Sequence, residues 1–158
     1  MSSDTLLCPS AQFDGEGANV FGIVGGDQHN RRIIYLKSAI PATTIDISTF
    51  EGVPPGEVVR SAAPCAKSRC DHHSKETSQC TLVQRIVADV APNVESLAYC
   101  AIRTQCVWWA QEQAEACKRC SLIVREDRLP SPEVAAARIP PGERLKAEAA
   151  QARSADAS

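Results

Sequence analysis

A chain of 158 residues is sized for one small domain with appendages, and an aromatic content of 4% leaves too few large side chains for the wide core of a big enzyme scaffold. A net charge of −2 supplies no basic field for nucleic acid or anionic lipid, so neither is an expected partner. The sequence holds no apolar run long enough for a membrane-spanning helix, and its opening MSSDTLLCPS has neither the basic nor the apolar stretch of a secretory signal. A cytoplasmic protein without membrane insertion is expected. Thiols stay reduced in that compartment, so eight cysteines point to metal ligation rather than to disulfides.

Residues 1–64 read as a small β region. Val20-Phe21-Gly22-Ile23-Val24 and Arg32-Ile33-Ile34-Tyr35-Leu36 flank the turn-forming Asp27-Gln28-His29-Asn30 and predict a hairpin. Ile45-Asp46-Ile47 alternates and Glu57-Val58-Val59-Arg60 follows Pro54-Pro55-Gly56, so two to four antiparallel strands are expected. Such a sheet is marginal alone and needs an apolar partner layer.

Residues 65–126 read as helices joined by cysteine-bearing loops. Leu82, Val83, Ile86, Val87 and Val90 keep helical spacing after Thr81, a candidate N-cap, and Pro92 ends the run. Gln105 to Lys118 has no Gly or Pro and is rich in Ala, Gln and Glu, which predicts one continuous second helix with Thr104 as its cap. Residues 127–158 are rich in Ala and Pro with almost no large apolar side chain, so a tail is expected there, disordered or held as a helix by a partner. Within it, Ser131-Pro132-Glu133 makes a good helix start, and 143–153 is strongly helix-forming.

The cysteines are spaced Cys8-x56-Cys65-x4-Cys70-x9-Cys80-x19-Cys100-x5-Cys106-x10-Cys117-x2-Cys120. Only Cys117 and Cys120 form a knuckle of the kind that zinc ribbons repeat. Irregular gaps suit an iron–sulfur cluster, whose separate iron corners each take a thiolate from a different loop. Cys8-Pro9 resembles the Cys-Pro pairs of ferredoxin runs. Cys106 and Cys117 lie eleven residues apart, roughly 16 Å along an unbroken helix. A straight helix therefore divides Cys100 and Cys106 from Cys117 and Cys120, each pair joining two of Cys8, Cys65, Cys70 and Cys80. A kinked helix gathers Cys100, Cys106, Cys117 and Cys120 around one centre and leaves Cys8, Cys65, Cys70 and Cys80 for another. Spacing leaves both groupings open. His72 is a further candidate metal ligand, Trp108 and Trp109 are candidate shields for a cluster, and Lys118 and Arg119 stand inside the knuckle.

The strings VFGIVGG, AAPCAKSRCDHHSKETSQCTLVQRIV and CAIRTQCVWWAQEQAEACKRC resemble an uncharacterised family of small bacterial cysteine-rich proteins, over about Cys8 to Val124. The resemblance implies a shared framework of metal-ligand-like cysteines and transfers no catalytic residue. Two positions depart from its pattern: Ser121 stands where Pro follows the final Cys, and Gln111-Glu112-Gln113 lacks an expected Gly.

These readings converge on an α+β protein, with a small N-terminal antiparallel sheet packed with a two- to three-helix cysteine-rich metal-binding region and a flexible C-terminal tail. Its expected cofactor is one or two iron–sulfur clusters of the 4Fe-4S type, with zinc as the alternative. The expected role is electron transfer or redox sensing as an accessory subunit of a larger redox protein or enzyme complex, with no catalysis by this chain alone. The alternative is a zinc-stabilised protein-interaction module. No phosphate loop, metalloprotease helix or serine elbow is present.

Overall fold

A computed structural model describes residues 5–27, 30–126 and 129–143. The expected turn histidine His29 and all but the first residue of the expected 143–153 helix lie outside them.

The architecture is α+β. Strands β1 (Leu7–Cys8), β2 (Asn19–Asp27), β3 (Asn30–Pro41) and β4 (Val59–Pro64) form one antiparallel sheet in the order β1-β4-β2-β3. The predicted hairpin is present as β2 and β3, in a register that pairs Asp27 with Asn30 and Val24 with Ile33. Its register shifts between Val20 and Gly22, a bulge that places Phe21 in the core. Gly22 is needed there, because a Cβ would lie 2.5 Å from Ile33 Cγ2.

Ile45-Asp46-Ile47 is not a strand. Ala42–Thr44 and Ile47–Phe50 are 3-10 turns, and Asp46 caps the second by accepting from the Ser48 backbone N–H at 3.0 Å and its hydroxyl at 2.8 Å. Local side-chain capping outweighs three residues of alternation. The expected strand at Glu57 starts later, because Pro55–Val58 forms the short helix α1 with its prolines at the start, where a missing N–H costs nothing.

β4 is the central buried strand, and its successive residues face opposite layers. Ala62 joins a core with Phe21, Val83, Ile86, Trp108 and Ile123, while Ala63 joins a smaller cluster with Ala18, Val20, Ala42 and Val59. Helix α2 (Thr81–Asp89) buries Leu82, Val83 and Ile86 in the larger core, as its spacing predicts.

The tail expectation needs correcting at residues 132–137. Ser131 accepts from the Val134 N–H, starting helix α5 (Pro132–Ala137), whose Val134 and Ala137 are buried in the core beside α2. Two small apolar side chains at helical spacing suffice when a neighbouring helix supplies the rest of the layer. Arg85 on α2 fastens the end of α5 by donating to the Ala137 carbonyl at 2.8 Å.

The second expected helix is broken. Arg103–Gln105 is a 3-10 turn, α3 spans Val107–Glu112, α4 spans Ala114–Cys117, and Gln113 between them has φ 58° and ψ −141°. Composition favours a continuous helix, but the Gln113 side chain turns back to donate to the Trp109 carbonyl at 2.7 Å and closes α3. Only glycine reaches that backbone region without strain of about 1–3 kcal/mol. Gln113→Gly is therefore expected to stabilise the protein by about 1 kcal/mol, after the exposed side-chain bond and the entropy of glycine are subtracted. A raised urea midpoint at unchanged slope checks this, and a lowered one contradicts it.

The two sheet edges differ in how they are blunted. β1 is two residues long, and Leu7 also bridges Cys106. On β3, the Arg31 and Lys37 carbonyls accept from Asn93 Nδ2 at 3.0 Å and Tyr99 Oη at 2.9 Å.

Candidate metal centres

All eight cysteines are free thiols. Their environments divide them into two groups of four, in the arrangement that a kinked helix allows. Cys100, Cys106, Cys117 and Cys120 line one pocket together with Phe21, Tyr35 and Trp108. The break at Gln113 turns α4 back, so that Cys117 shares this pocket with Cys106, which an unbroken helix would forbid. The thiols of Cys8 and Cys80 both feel the charges that Cys65 and Cys70 would carry as thiolates, and they form the other group.

Both groups use a helix start. Cys80 and Cys106 are the N-caps of α2 and α3, displacing Thr81 and Thr104 from the capping roles expected of them. Their backbones nearly coincide, with φ −80° and ψ 115° at Cys80 and φ −83° and ψ 128° at Cys106. The N–H groups of Val83 and Leu82 lie beside the first sulfur, and those of Trp109 and Trp108 beside the second, each favouring a thiolate. The matching strings Gln79-Cys80 and Gln105-Cys106 are the sequence signal of this repetition.

Two contacts tie the groups together. Gln111 on α3 accepts from the Cys80 N–H at 2.9 Å and donates to the Cys80 carbonyl at 2.9 Å, fixing the Cys80 backbone to the helix that Cys106 starts. Cys8 belongs to the first group, while its neighbour Pro9 lines the second pocket.

Arg60, on β4, is the functional residue that sequence reasoning missed. It is 1% exposed, with its guanidinium 5.5 Å from the Phe21 ring centroid. It donates to the Cys120 carbonyl, to the Pro9 carbonyl at 2.9 Å and to Cys120 Sγ at 3.3 Å. Among the described residues none of its partners is a carboxylate. Burying an unpaired cation costs several kcal/mol, which an anionic centre beside Cys120 would offset. A lone Arg after Glu57-Val58-Val59 reads as a surface side chain, and its partners are 51 and 60 residues away in sequence.

Two other polar atoms at the same pocket are buried without a partner. Trp108 Nε1 and Arg103 Nε have no acceptor, and both residues line the pocket. With Arg60, which reaches Cys120 from outside the lining, they put buried N–H donors near the four thiols in a mostly apolar pocket. A thiolate-ligated cluster, bearing negative charge and acceptor sulfides, fits this lining.

Burial pushes both the Cys8 and Cys106 thiols up to about 12. It also raises Cys80, Cys100 and Cys117, with the Arg103 guanidinium opposing it at Cys117. In metal-free protein the folded chain thus holds protons that the unfolded chain releases near 9. This contribution to stability is whole below about pH 9 and disappears as the pH climbs through about 12. The urea midpoint of chelator-treated protein is expected to drop between about pH 8 and about pH 11, and a flat profile contradicts the assignment.

His72 stands apart from its expected role. Its Nδ1 faces Arg85 Nη2 at 2.8 Å, and burial, with Arg85 next in importance, lowers its pKa to about 4. A neutral ring that accepts there carries its proton on Nε2, which leaves no lone pair for a metal. Arg119 and Lys118 serve the chain end of α4: Arg119 donates to the Val90 carbonyl and to Glu115 Oε1 at 3.0 Å, and Lys118 pairs with Glu115 at 3.2 Å. Trp109 lies under the Arg103 guanidinium, 5.6 Å from its ring centroid.

Among the described residues, no three His, Cys, Asp or Glu side chains come close enough together to hold a single metal ion. No helix there is long and apolar enough to cross a membrane. The chain matches no protein-family model, no curated protein and no solved structure.

Proposed function

We propose that this chain is a small iron–sulfur protein with two four-cysteine centres, serving electron transfer or redox sensing as a cytoplasmic accessory subunit of a larger redox protein or enzyme complex. The ligands are Cys8, Cys65, Cys70 and Cys80 in one centre and Cys100, Cys106, Cys117 and Cys120 in the other. The observation that supports this reading is the second pocket, where four cysteines share a lining with Arg103 and Trp108, whose Nε and Nε1 are buried without a partner, and where buried Arg60 donates to Cys120 Sγ at 3.3 Å from behind the lining. Such donors are mismatched to neutral thiols and matched to a thiolate-bound cluster. The spread of the sulfurs agrees, because a cubane takes each thiolate at its own iron corner, whereas zinc draws all four to within about 2.3 Å of one ion.

When bound, the cluster supplies one-electron chemistry. The chain's share is to ligate, to keep water out with Phe21 and Trp108, and to hold donors toward the sulfurs. Residues 127–158 remain the proposed docking element only beyond α5, since α5 itself is engaged with α2.

Purification without oxygen, a visible spectrum, and counts of iron, sulfide and zinc per chain test the reading. Broad brownish absorption with iron and sulfide is expected. Colourless protein carrying zinc would establish the interaction module instead, and colourless protein free of metal would overturn both.

A further inference from the structure

The two faces of the sheet are covered unequally. Helices α2, α3, α4 and α5 close one face over the main core. The other face carries only the small cluster around Val20 and Val59, roofed by the turns at 11–18 and 42–50. Val20 pairs with Ile40 across β3, and Val59 pairs with Ile23, which pairs in turn with Ile34. Residues directly opposite one another share a face, so Ile23, Ile34 and Ile40 continue the roofed side beyond the turns. All three are exposed, Ile34 by 60%. On the roof itself Phe50 packs inward, while Ile47, 57% exposed, and Val53 stand outward. Five of the eight large apolar side chains exposed among the described residues therefore belong to this hairpin and its roof, a clustering that marks an interaction surface rather than scattered exposure.

The charges around the patch identify its occupant. The cations of residues 1–59 are Arg31, Arg32 and Lys37, all on β3, whereas 1–27 and 38–59 hold acidic groups only. Exposed Arg32 lies two residues from Ile34 on the same face, toward the hairpin tip. Exposed Asp14 and Glu16 stand on one roof turn and exposed Asp46 and Glu51 on the other, the turns being joined by the Phe13 and Phe50 rings with centroids 6.3 Å apart. The patch is thus an apolar strip with a cation at one end and carboxylates at the other. A two-fold axis through such a strip sets each end against its opposite on a second copy, so the surface is complementary to itself. A rim of one sign would instead suit a different protein of the other sign.

We infer that the chain associates with a second copy of itself through this face, in a two-fold dimer that brings Arg32 of each copy to the Glu51 turn of the other and packs Ile34 against Ile47 and Val53. The inference does not rest on what the cysteines hold. Five apolar side chains and a charged rim make an interface at the small end of the range, so the dimer is expected to be reversible and to depend on concentration.

Sedimentation equilibrium of the full chain tests this, with protein as isolated, under reductant so that thiols do not cross-link, from low micromolar to submillimolar concentration. Wild-type protein is expected to show a monomer–dimer equilibrium that weakens with added salt. Ile34→Glu, at an exposed position that folding does not depend on, is expected to raise the dissociation constant by about tenfold. Arg32→Glu and Glu51→Lys each oppose like charges at both ends of the strip and are each expected to dissociate. An equimolar mixture of the two is expected to recover association, because a mixed dimer again opposes unlike charges at both ends. Wild-type protein that stays monomeric throughout overturns the inference and leaves the face to another protein. A dimer untouched by Ile34→Glu places the contact elsewhere, and a mixture no more associated than its components denies the two-fold arrangement; either result overturns the inference as well.

Discussion

Cys106→Ala is expected to remove one centre and spare the other, lowering iron and sulfide per chain by about half. Cys106 is buried in the second pocket, and a methyl group there leaves a cluster with three ligands and no nearby substitute. It also occupies the N-cap position of α3, so Cys106→Ser serves as a control that keeps a polar side chain there while weakening the iron bond. Cys80→Ala is expected to do the same to the first centre. The grouping is tested by combination. Joining Cys106→Ala to Cys117→Ala is expected to cost no more iron than either change alone, because both sulfurs serve one centre. If the double change empties the chain, each of those sulfurs belongs to a different centre and the pocket assignment fails.

Trp108→Ala is expected to cost about 3–5 kcal/mol, a large share of the 5–15 kcal/mol by which domains of this size are stable. Trp108 is 1% exposed, packs in the main core with Ile86 and Ile123, and walls the second pocket. The change opens a cavity on both sides at once. Trp108→Phe separates volume from hydrogen bonding. In metal-free protein Nε1 has no partner to lose, so this variant is expected to lie within about 1.5 kcal/mol of wild type. In loaded protein it forfeits a donor to the centre and loses more. Urea midpoints of both variants, metal-free and loaded, give the comparison, and an equal loss by Trp108→Phe in the two states would mean that Nε1 does not face the centre.

What could be read in advance divides along physical lines. The β2–β3 hairpin and α2 were legible because each is a run of apolar residues at a regular period between clear breakers. β1 was not, since two residues have no period and Leu7–Cys8 is a strand only by pairing with Ala63 and Pro64. The break at Gln113 was hidden for a related reason: no Gly or Pro announces it, and it is held by a side-chain bond and the packing of Trp108 and Ala116. The eight cysteines were plain, but their grouping depended on that break, so spacing alone left it undecided. Arg60 was invisible as a site residue because burial of a charge is decided by distant partners. The paired helix starts at Cys80 and Cys106 left a repeated Gln-Cys dipeptide that composition and period do not weigh.

The rims of the sheet bear on how the protein behaves when crowded. An open strand edge is a template on which another chain can add its own strand, the first move toward fibrils. Here Tyr99 and Asn93 cap carbonyls along β3, and β1 is too short to template anything and is already joined to Cys106. Removing the tyrosine hydroxyl or the asparagine amide would free a carbonyl of β3 and leave that rim more open to a second strand, so these two side chains act as guards against aggregation.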